Sequence, residues 1–213
     1  LDPATLATTL IGDTGLLWTT TLAVNPLTGK MYVTSYDTNS LYEVNPATAE
    51  ASLIGAIGYI AISDITFGPD GTLYGWDMNQ DLLTINTSTG AATPVAESTI
   101  GTTTWLTGMA FDDGTLFVKM ANAMYTVDPA TGIGTHFSNI SGVLDLYDYD
   151  TDSGDDSLGE MLAVGSNGYH YSVQHGGKGN SYLYVIDPSD WTATFVGDIG
   201  IKNVTALDFM PLP

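Results

Sequence analysis

ISDITFGPDGTLYGWDMNQDLLTINTSTGAATPV, residues 62–95, holds the fold in miniature. Residues 62–67 form a short apolar run, Pro69-Asp70-Gly71 is a turn signal, and residues 72–76 (TLYGW) form a strand with aromatics. Asn79-Gln80-Asp81 turns into residues 82–85 (LLTI), the 86–90 turn follows, and residues 91–95 end the unit. Four short β-prone runs separated by Gly, Asp, Asn and Pro turns predict an antiparallel meander. We label its strands A to D, with A innermost.

The last turn of this unit recurs along the chain. It reads Asp2-Pro3-Ala4-Thr5, Asn45-Pro46-Ala47-Thr48, Asn86-Thr87-Ser88-Thr89-Gly90, Asp128-Pro129-Ala130-Thr131-Gly132 and Asp187-Pro188-Ser189-Asp190. Its first residues lie 43, 41, 42 and 59 positions apart. A period near 42 is the length of one four-stranded propeller blade. No window carries the i, i+3, i+4, i+7 stripe of an amphipathic helix. The expectation is an all-β propeller of five blades in one domain, residues 1–213. Four blades are placed at about 19–56, 62–97, 106–139 and 143–197, the last with strand A at 143–147 and strand B at 161–164.

The fifth blade is expected to form from both chain ends, residues 201–213 plus 1–12, and to be incomplete. ALDF (206–209) reads as its strand A and ATTLI (7–11) as its strand D, with strand B and most of strand C absent. An open blade leaves strand edges that another chain can pair. Self-association through that edge is one expected partnership, and binding to an extracellular polymer is the other.

Composition narrows the functional classes. The chain carries 24 acidic residues against 4 lysines and no arginine, for a net charge of -20. That balance argues against nucleic acid and anionic membrane surfaces, both of which need clustered bases. It suits solubility, export and, where carboxylates cluster, divalent cations. There is no cysteine, so disulfides, thiolate metal sites and a cysteine nucleophile are excluded. No apolar run reaches the length of a membrane-spanning segment.

The one long interval must hold an insertion of about 17 residues relative to the period. It contains Asp148, Asp150 and Asp152, then Gly154, Asp155, Asp156 and Glu160 directly before an apolar run. Alternating carboxylates and a glycine suit the six to eight oxygen ligands of Ca2+. The EF-hand spacing does not fit, because Gly154 and Glu160 each fall one place late and no helices flank the loop. The segment resembles the calcium loop of integrin-type FG-GAP propeller repeats, whose acidic stretch joins strands A and B. That resemblance implies Asp148, Asp150, Asp152 and Glu160 as Ca2+ ligands, with Asp155 and Asp156 as substitutes.

Catalytic signals are sparse. His136 is expected near the end of an outer strand, and His170 and His175 in a surface hairpin between strands B and C of the fourth copy. Gly176-Gly177-Lys178-Gly179 lacks the GK[ST] ending of a P-loop. Asp64, Asp145 and Asp208 recur within strand A, facing the channel or the neighbouring sheet, where a pair could act as acid and base. The repeated aromatics Tyr32, Tyr74 and Phe117 are read as wedge filling between sheets. Trp18 and Trp105, ahead of strand A in two copies, are candidates for an exposed platform.

LYEVNPATAEASLIG, MYTVDPATGIGTHF and ITFGPDGTLYG resemble exported bacterial propeller-repeat proteins of the LYxIDPxTG kind, near NHL repeats. Many of these carry a PEP-CTERM sorting signal after the last strand A; the ending FMPLP is similar to its lead-in, without the signal itself. The resemblance implies an extracellular or cell-surface location. The functional expectation is a noncatalytic, calcium-stabilised structural or binding protein. A calcium-dependent hydrolase or lyase using channel carboxylates, and a carbohydrate-binding lectin, are the alternatives.

Overall fold

The structure, a computed structural model, describes residues 1–2, 4–79, 81–96, 100, 107–143, 161–175 and 180–209. Its sixteen strands form four antiparallel four-stranded sheets, each built in chain order from the inside outwards. The first sheet holds β1 (Thr19–Val24), β2 (Met31–Ser35), β3 (Ser40–Val44) and β4 (Ala51–Ala56). The second holds β5 (Ile62–Phe67), β6 (Leu73–Asp77), β7 (Asp81–Ile85) and β8 (Ala92–Ala96). The third holds β9 (Thr107–Asp112), β10 (Thr115–Met120), β11 (Ala123–Val127) and β12 (Gly134–Asn139). The fourth holds β13 (Ala163–Val164), β14 (His170–His175), β15 (Asn180–Asp187) and β16 (Thr192–Lys202). This is an all-β propeller arrangement. Among the described residues it has four blades where five were expected. No helix among them is long and apolar enough to cross a membrane.

The recurring turn works as the sequence implies. Its Asx side chain accepts the N–H two residues on, in Asp2–Ala4 (2.8 Å), Asn45–Ala47 (2.9 Å), Asn86–Ser88, Asp128–Ala130 and Asp187–Ser189 (2.8 Å each). The fifth residue closes the turn by donating its N–H to the Asx carbonyl and takes a left-handed conformation. Glycine does this without strain at Gly90 and Gly132, whereas Leu6, Ala49 and Trp191 do it with a Cβ, at φ 58°, 62° and 59°. The main-chain N–H of Ala4 holds Asp2 below the usual carboxylate range, and that of Ala130 does the same for Asp128.

Cores lie between consecutive sheets. Ala23, Tyr32 and Leu41 of the first pack on Ile65, Phe67, Leu83 and Ile85 of the second. Trp76 and Leu82 meet Met109, Leu116 and Val118 of the third, and Ala110 and Met124 meet Leu162, Tyr184 and Ile186 of the fourth. The strand B aromatics fill these wedges, since Tyr32 stands 5.4 Å from Phe67 and Tyr74 stands 5.4 Å from Phe111.

The fourth sheet corrects the sequence reading. Among the described residues its innermost strand is β13, where 161–164 was expected as strand B, and its second strand is β14; residues 144–147, expected as strand A, lie outside the described residues. The segment YHYSVQ, with His170, Ser172 and Gln174, was expected in a surface hairpin between strands B and C. All three are buried: His170 Nε2 bonds Asp112 while its Nδ1 has no partner, Ser172 donates to the Met161 carbonyl, and Gln174 accepts from the Tyr184 hydroxyl. The overlooked turn is Gly165-Ser166-Asn167-Gly168. Its bonds, Gly165 N–H to Tyr169 O and Gly168 N–H to Gly165 O, match those of Gly68-Pro69-Asp70-Gly71. The acidic insertion therefore connects β12 to β13, the passage from one blade to the next, and does not join strands A and B.

The chain ends lie between the fourth sheet and the first. Residues 206–209 and 8–11 belong to no sheet. Leu6, Val204, Leu207 and Phe209 cover Tyr171, Leu183 and Ile199 of the fourth sheet, and Tyr171 stands 4.9 Å from Phe209. On the other side, the Thr205 hydroxyl donates to Thr19 O (3.0 Å). A Cβ built at Gly12 would stand 2.7 Å from Thr48 O, just as one at Gly55 would stand 2.1 Å from Thr89 O.

Candidate functional site

The inner strands surround a central cavity of about 170 Å³, whose wall includes Val24, Phe67, Phe111, Val164, Asp208 and Phe209. Apart from Asp208 these are apolar side chains, one from each inner strand and one from the C-terminal segment. Two carboxylates sit on this inner ring. Both belong to the set singled out in sequence.

Asp64 lies mid-strand in β5 and is 7% exposed. Its Oδ1 accepts the Thr21 hydroxyl from β1 and the N–H of Ile65 (2.8 Å). Its Oδ2 accepts the Met109 N–H from β9 at 2.6 Å. One carboxyl thus ties three inner strands together. Burial pushes it up to about 8 despite these donors, and the nearby Asp208 adds to the rise.

Asp208 repeats the device. Its Oδ1 accepts the N–H of Phe209 and its Oδ2 that of Val24 in β1, both at 2.7 Å. Burial raises it to about 6. In each case one oxygen takes the following residue's N–H and the other takes an N–H on the next inner strand around the ring. Asp145 lies outside the described residues.

His170 is the second polar feature. It is fully buried in β14, with Nε2 3.0 Å from Asp112 Oδ2 of β9. Phe117 and Trp191 present edges to its ring at 5.3 and 5.2 Å. Burial lowers its pKa, and Asp112 partly offsets this. The contact joins the third and fourth sheets; sequence spacing gave no signal for it. His136 is exposed on β12, as expected, with Nε2 3.2 Å from Asn139 Oδ1.

The proposed cation ligands Asp148, Asp150, Asp152 and Glu160, with Asp155 and Asp156, lie outside the described residues, as do Trp105 and the 176–179 glycines. No group of three or more His, Asp or Glu side chains with metal-ligating geometry occurs among the described residues. Trp18 is 75% exposed, in a left-handed backbone (φ 51°) pinned by the Tyr36 N–H to its carbonyl at 2.9 Å. Tyr36 is 43% exposed on the same rim.

No family model and no curated protein matches the chain. Solved structures do. An auxiliary nutrient binding protein from Bacteroides thetaiotaomicron superposes with a TM-score of 0.57 at 14% identity, over 88% of this chain and 44% of that one. A chain of the nidogen/laminin complex gives 0.55 at 15% identity, over 85% and 64%. Virginiamycin B lyase from Staphylococcus aureus gives 0.50 at 12% identity, over 84% and 55%. The chain spans about half the length of several such structures. What it shares with them is the propeller fold.

Proposed function

We propose that this protein is a noncatalytic binding and scaffolding propeller of the cell exterior. The observation that carries this reading is the use of Asp64 and Asp208. The carboxylates that a channel-based hydrolase or lyase would need are already bonded to main-chain N–H groups of neighbouring inner strands. A general acid or base must be free to reach a substrate proton. These two act as struts. The excess of acids over bases and the resemblance to exported repeats support the location.

The same reading takes the chain ends as an incomplete fifth blade. Phe209 sits against Tyr171 as Phe67 sits against Tyr32, and Gly12 backs onto Thr48 as Gly55 backs onto Thr89. The complete Asp2 turn, with Leu6 N–H donating to Asp2 O at 2.8 Å, supports it further. Association through that blade, with a second copy or an extracellular polymer, belongs to the proposal. So does a Ca2+ ion on Asp148, Asp150, Asp152 and Glu160, which rests on the spacing of the acids.

The test is a panel of lactone, glycoside and polyuronate substrates offered to wild type and Asp208→Asn with Ca2+ present. No turnover by either is the expected result; turnover that Asp208→Asn abolishes would overturn the reading. Trp18 and Tyr36 favour a second reading, a lectin, because exposed aromatic faces stack on sugar rings. A glycan array comparing wild type with Trp18→Ala decides it.

A further inference from the structure

One position near the start of each second strand is apolar in three sheets and polar in the fourth. Met31, Leu73 and Leu116 hold it opposite Val44, Ile85 and Val127; His170 holds it opposite Ile186. Leu73 is buried against the first sheet and Leu116 against the second. His170 is likewise buried against the third, where it meets Asp112. Asp112 itself stands where Gly68 follows β5 and Asn25 follows β1. A polar pair thus replaces an apolar contact at the joint between the third and fourth sheets, and not at the two joints before it.

The pair is only half satisfied. The His170 side chain is 0% exposed and that of Asp112 is 31% exposed. Nε2 lies 3.0 Å from Asp112 Oδ2, whereas Nδ1 is buried with no hydrogen-bond partner among the described residues. An ionised carboxylate only accepts, so the proton of the neutral ring sits on Nε2. A second proton must go on Nδ1, creating a buried charge whose N–H has no acceptor. Asp112 is the charged group that acts on the ring, and Asp113 beyond it is exposed. Val164 of β13 and Ile186 of β15 flank the ring in its own sheet, and Phe117 of β10 and Trp191 stand 5.3 and 5.2 Å from it. The charged groups on those elements are engaged elsewhere. Lys119 reaches Ala121 O, His136 reaches Asn139, and Asp187 and Asp190 take the N–H groups of Ser189 and Thr192.

Trp191 holds this ring at a left-handed turn position (φ 59°) that Gly90 and Gly132 fill in the second and third sheets. Main-chain bonds beside it cross the joint: Ser141 N–H donates to Trp191 O at 3.1 Å, and Ala193 N–H donates to Ser141 O at 2.7 Å.

We propose that His170 is an acid-released latch: neutral, it holds the third and fourth sheets together through Asp112, and protonation on Nδ1 drives the joint between them open. Opening unseats Trp191 and lets water solvate the imidazolium. The titration has the matching sign. Burial lowers His170 below the usual 6.5, so the closed joint is favoured above that pH and loses ground as pH falls through it. Asp64 and Asp208, both raised, gain stability over the same fall, so the loss is local to the joint.

The test is amide exchange on the full chain at pH 7.5 and 5.5, corrected for intrinsic rates and read at Ser141 and Ala193. Ala92, whose N–H crosses from the second sheet to Ile57 O at 3.0 Å, is the control at a joint without histidine. Protection at Ser141 and Ala193 should fall about tenfold at the lower pH, for one proton taken up on opening, while Ala92 keeps its own. His170→Leu, which restores the residue of the matching positions, should abolish the fall. Unchanged protection at pH 5.5, a fall shared by Ala92, or one that persists in His170→Leu overturns the latch. Should that variant fold poorly, the ring nitrogen chemical shifts of wild type decide. A proton on Nε2 at pH 7.5, and ring protonation that coincides with lost protection, support the latch. An imidazolium at pH 5.5 with Ser141 and Ala193 still protected is a stable ion pair with Asp112 and overturns it.

Discussion

Replacing Asp64 by asparagine should change how stability depends on pH. In the folded protein burial holds this carboxyl up to about 8, against 3.8 for an ordinary aspartate. Between those values the folded state keeps a proton that the unfolded chain releases, so stability falls as pH rises. One proton difference corresponds to roughly 1.4 kcal/mol per pH unit. Asp208, raised to about 6, adds the same sign below that pH. His170 acts oppositely: its depressed pKa makes stability rise with pH up to its ordinary value of 6.5. In the window from pH 6.5 to 7.5 Asp64 thus dominates, since the tails of Asp208 and His170 there are small and of opposite sign. Wild type should lose roughly 1.4 kcal/mol across it, and Asp64→Asn should be flat. At pH 6.5 the variant should not be less stable than wild type, because the cost of holding the carboxyl protonated from pH 3.8 upwards, roughly 1.4 kcal/mol per unit, outweighs the about 1–2 kcal/mol lost where its amide NH2 faces a main-chain donor. Urea unfolding followed by tryptophan fluorescence reads both, with Trp76 fully buried as reporter. Parallel pH profiles for the two proteins would refute the protonation argument.

Other outcomes follow from the turns, the blade contacts and the acidic segment. Ala49→Gly should stabilise by roughly 1 kcal/mol by relieving a left-handed Cβ, whereas Trp191→Gly, at the same turn position, should lose about 3 kcal/mol because its ring packs on Phe117, Phe137 and His170. Denaturant midpoints showing the same sign for both would contradict this. Gly55→Ala should cost about 3 kcal/mol and Gly12→Ala about 1–2 kcal/mol, since each new methyl meets a carbonyl oxygen; an unchanged Gly12→Ala midpoint would detach the N-terminal segment from the first sheet. Ca2+ at a hundred times its dissociation constant should add roughly 3 kcal/mol, seen as a melting temperature higher by about 5–10 °C than in chelator. Joint replacement of Asp148, Asp150 and Asp152 by Asn should remove that difference, and a wild-type melting temperature indifferent to both additions would dismiss the ion.

The propeller was legible because its signals are local. The Asx turn needs only its own five residues, and the strands between turns alternate visibly, so a period near 42 survives in the text of the chain. The fourth blade was misread for a physical reason. Burial of His170, Ser172 and Gln174 depends on partners 10 to 58 residues away, and no local pattern announces that such polar side chains are buried. The acidic run then drew strand A to its wrong side. Asp64 and Asp208 were picked out as inner-strand carboxylates, yet their role was not legible, because it is set by N–H groups of Met109 and Val24 on other strands. The Asp208 contact spans 184 residues.

Amide exchange at Val24 tests the ring closure most directly. Its N–H donates to Asp208 Oδ2, the bond that joins the C-terminal segment to the first sheet. Slow exchange in wild type, lost in Asp208→Ala while Met109 stays protected by Asp64, is the result this account expects. Fast exchange at Val24 in wild type, or protection that survives the substitution, would contradict it.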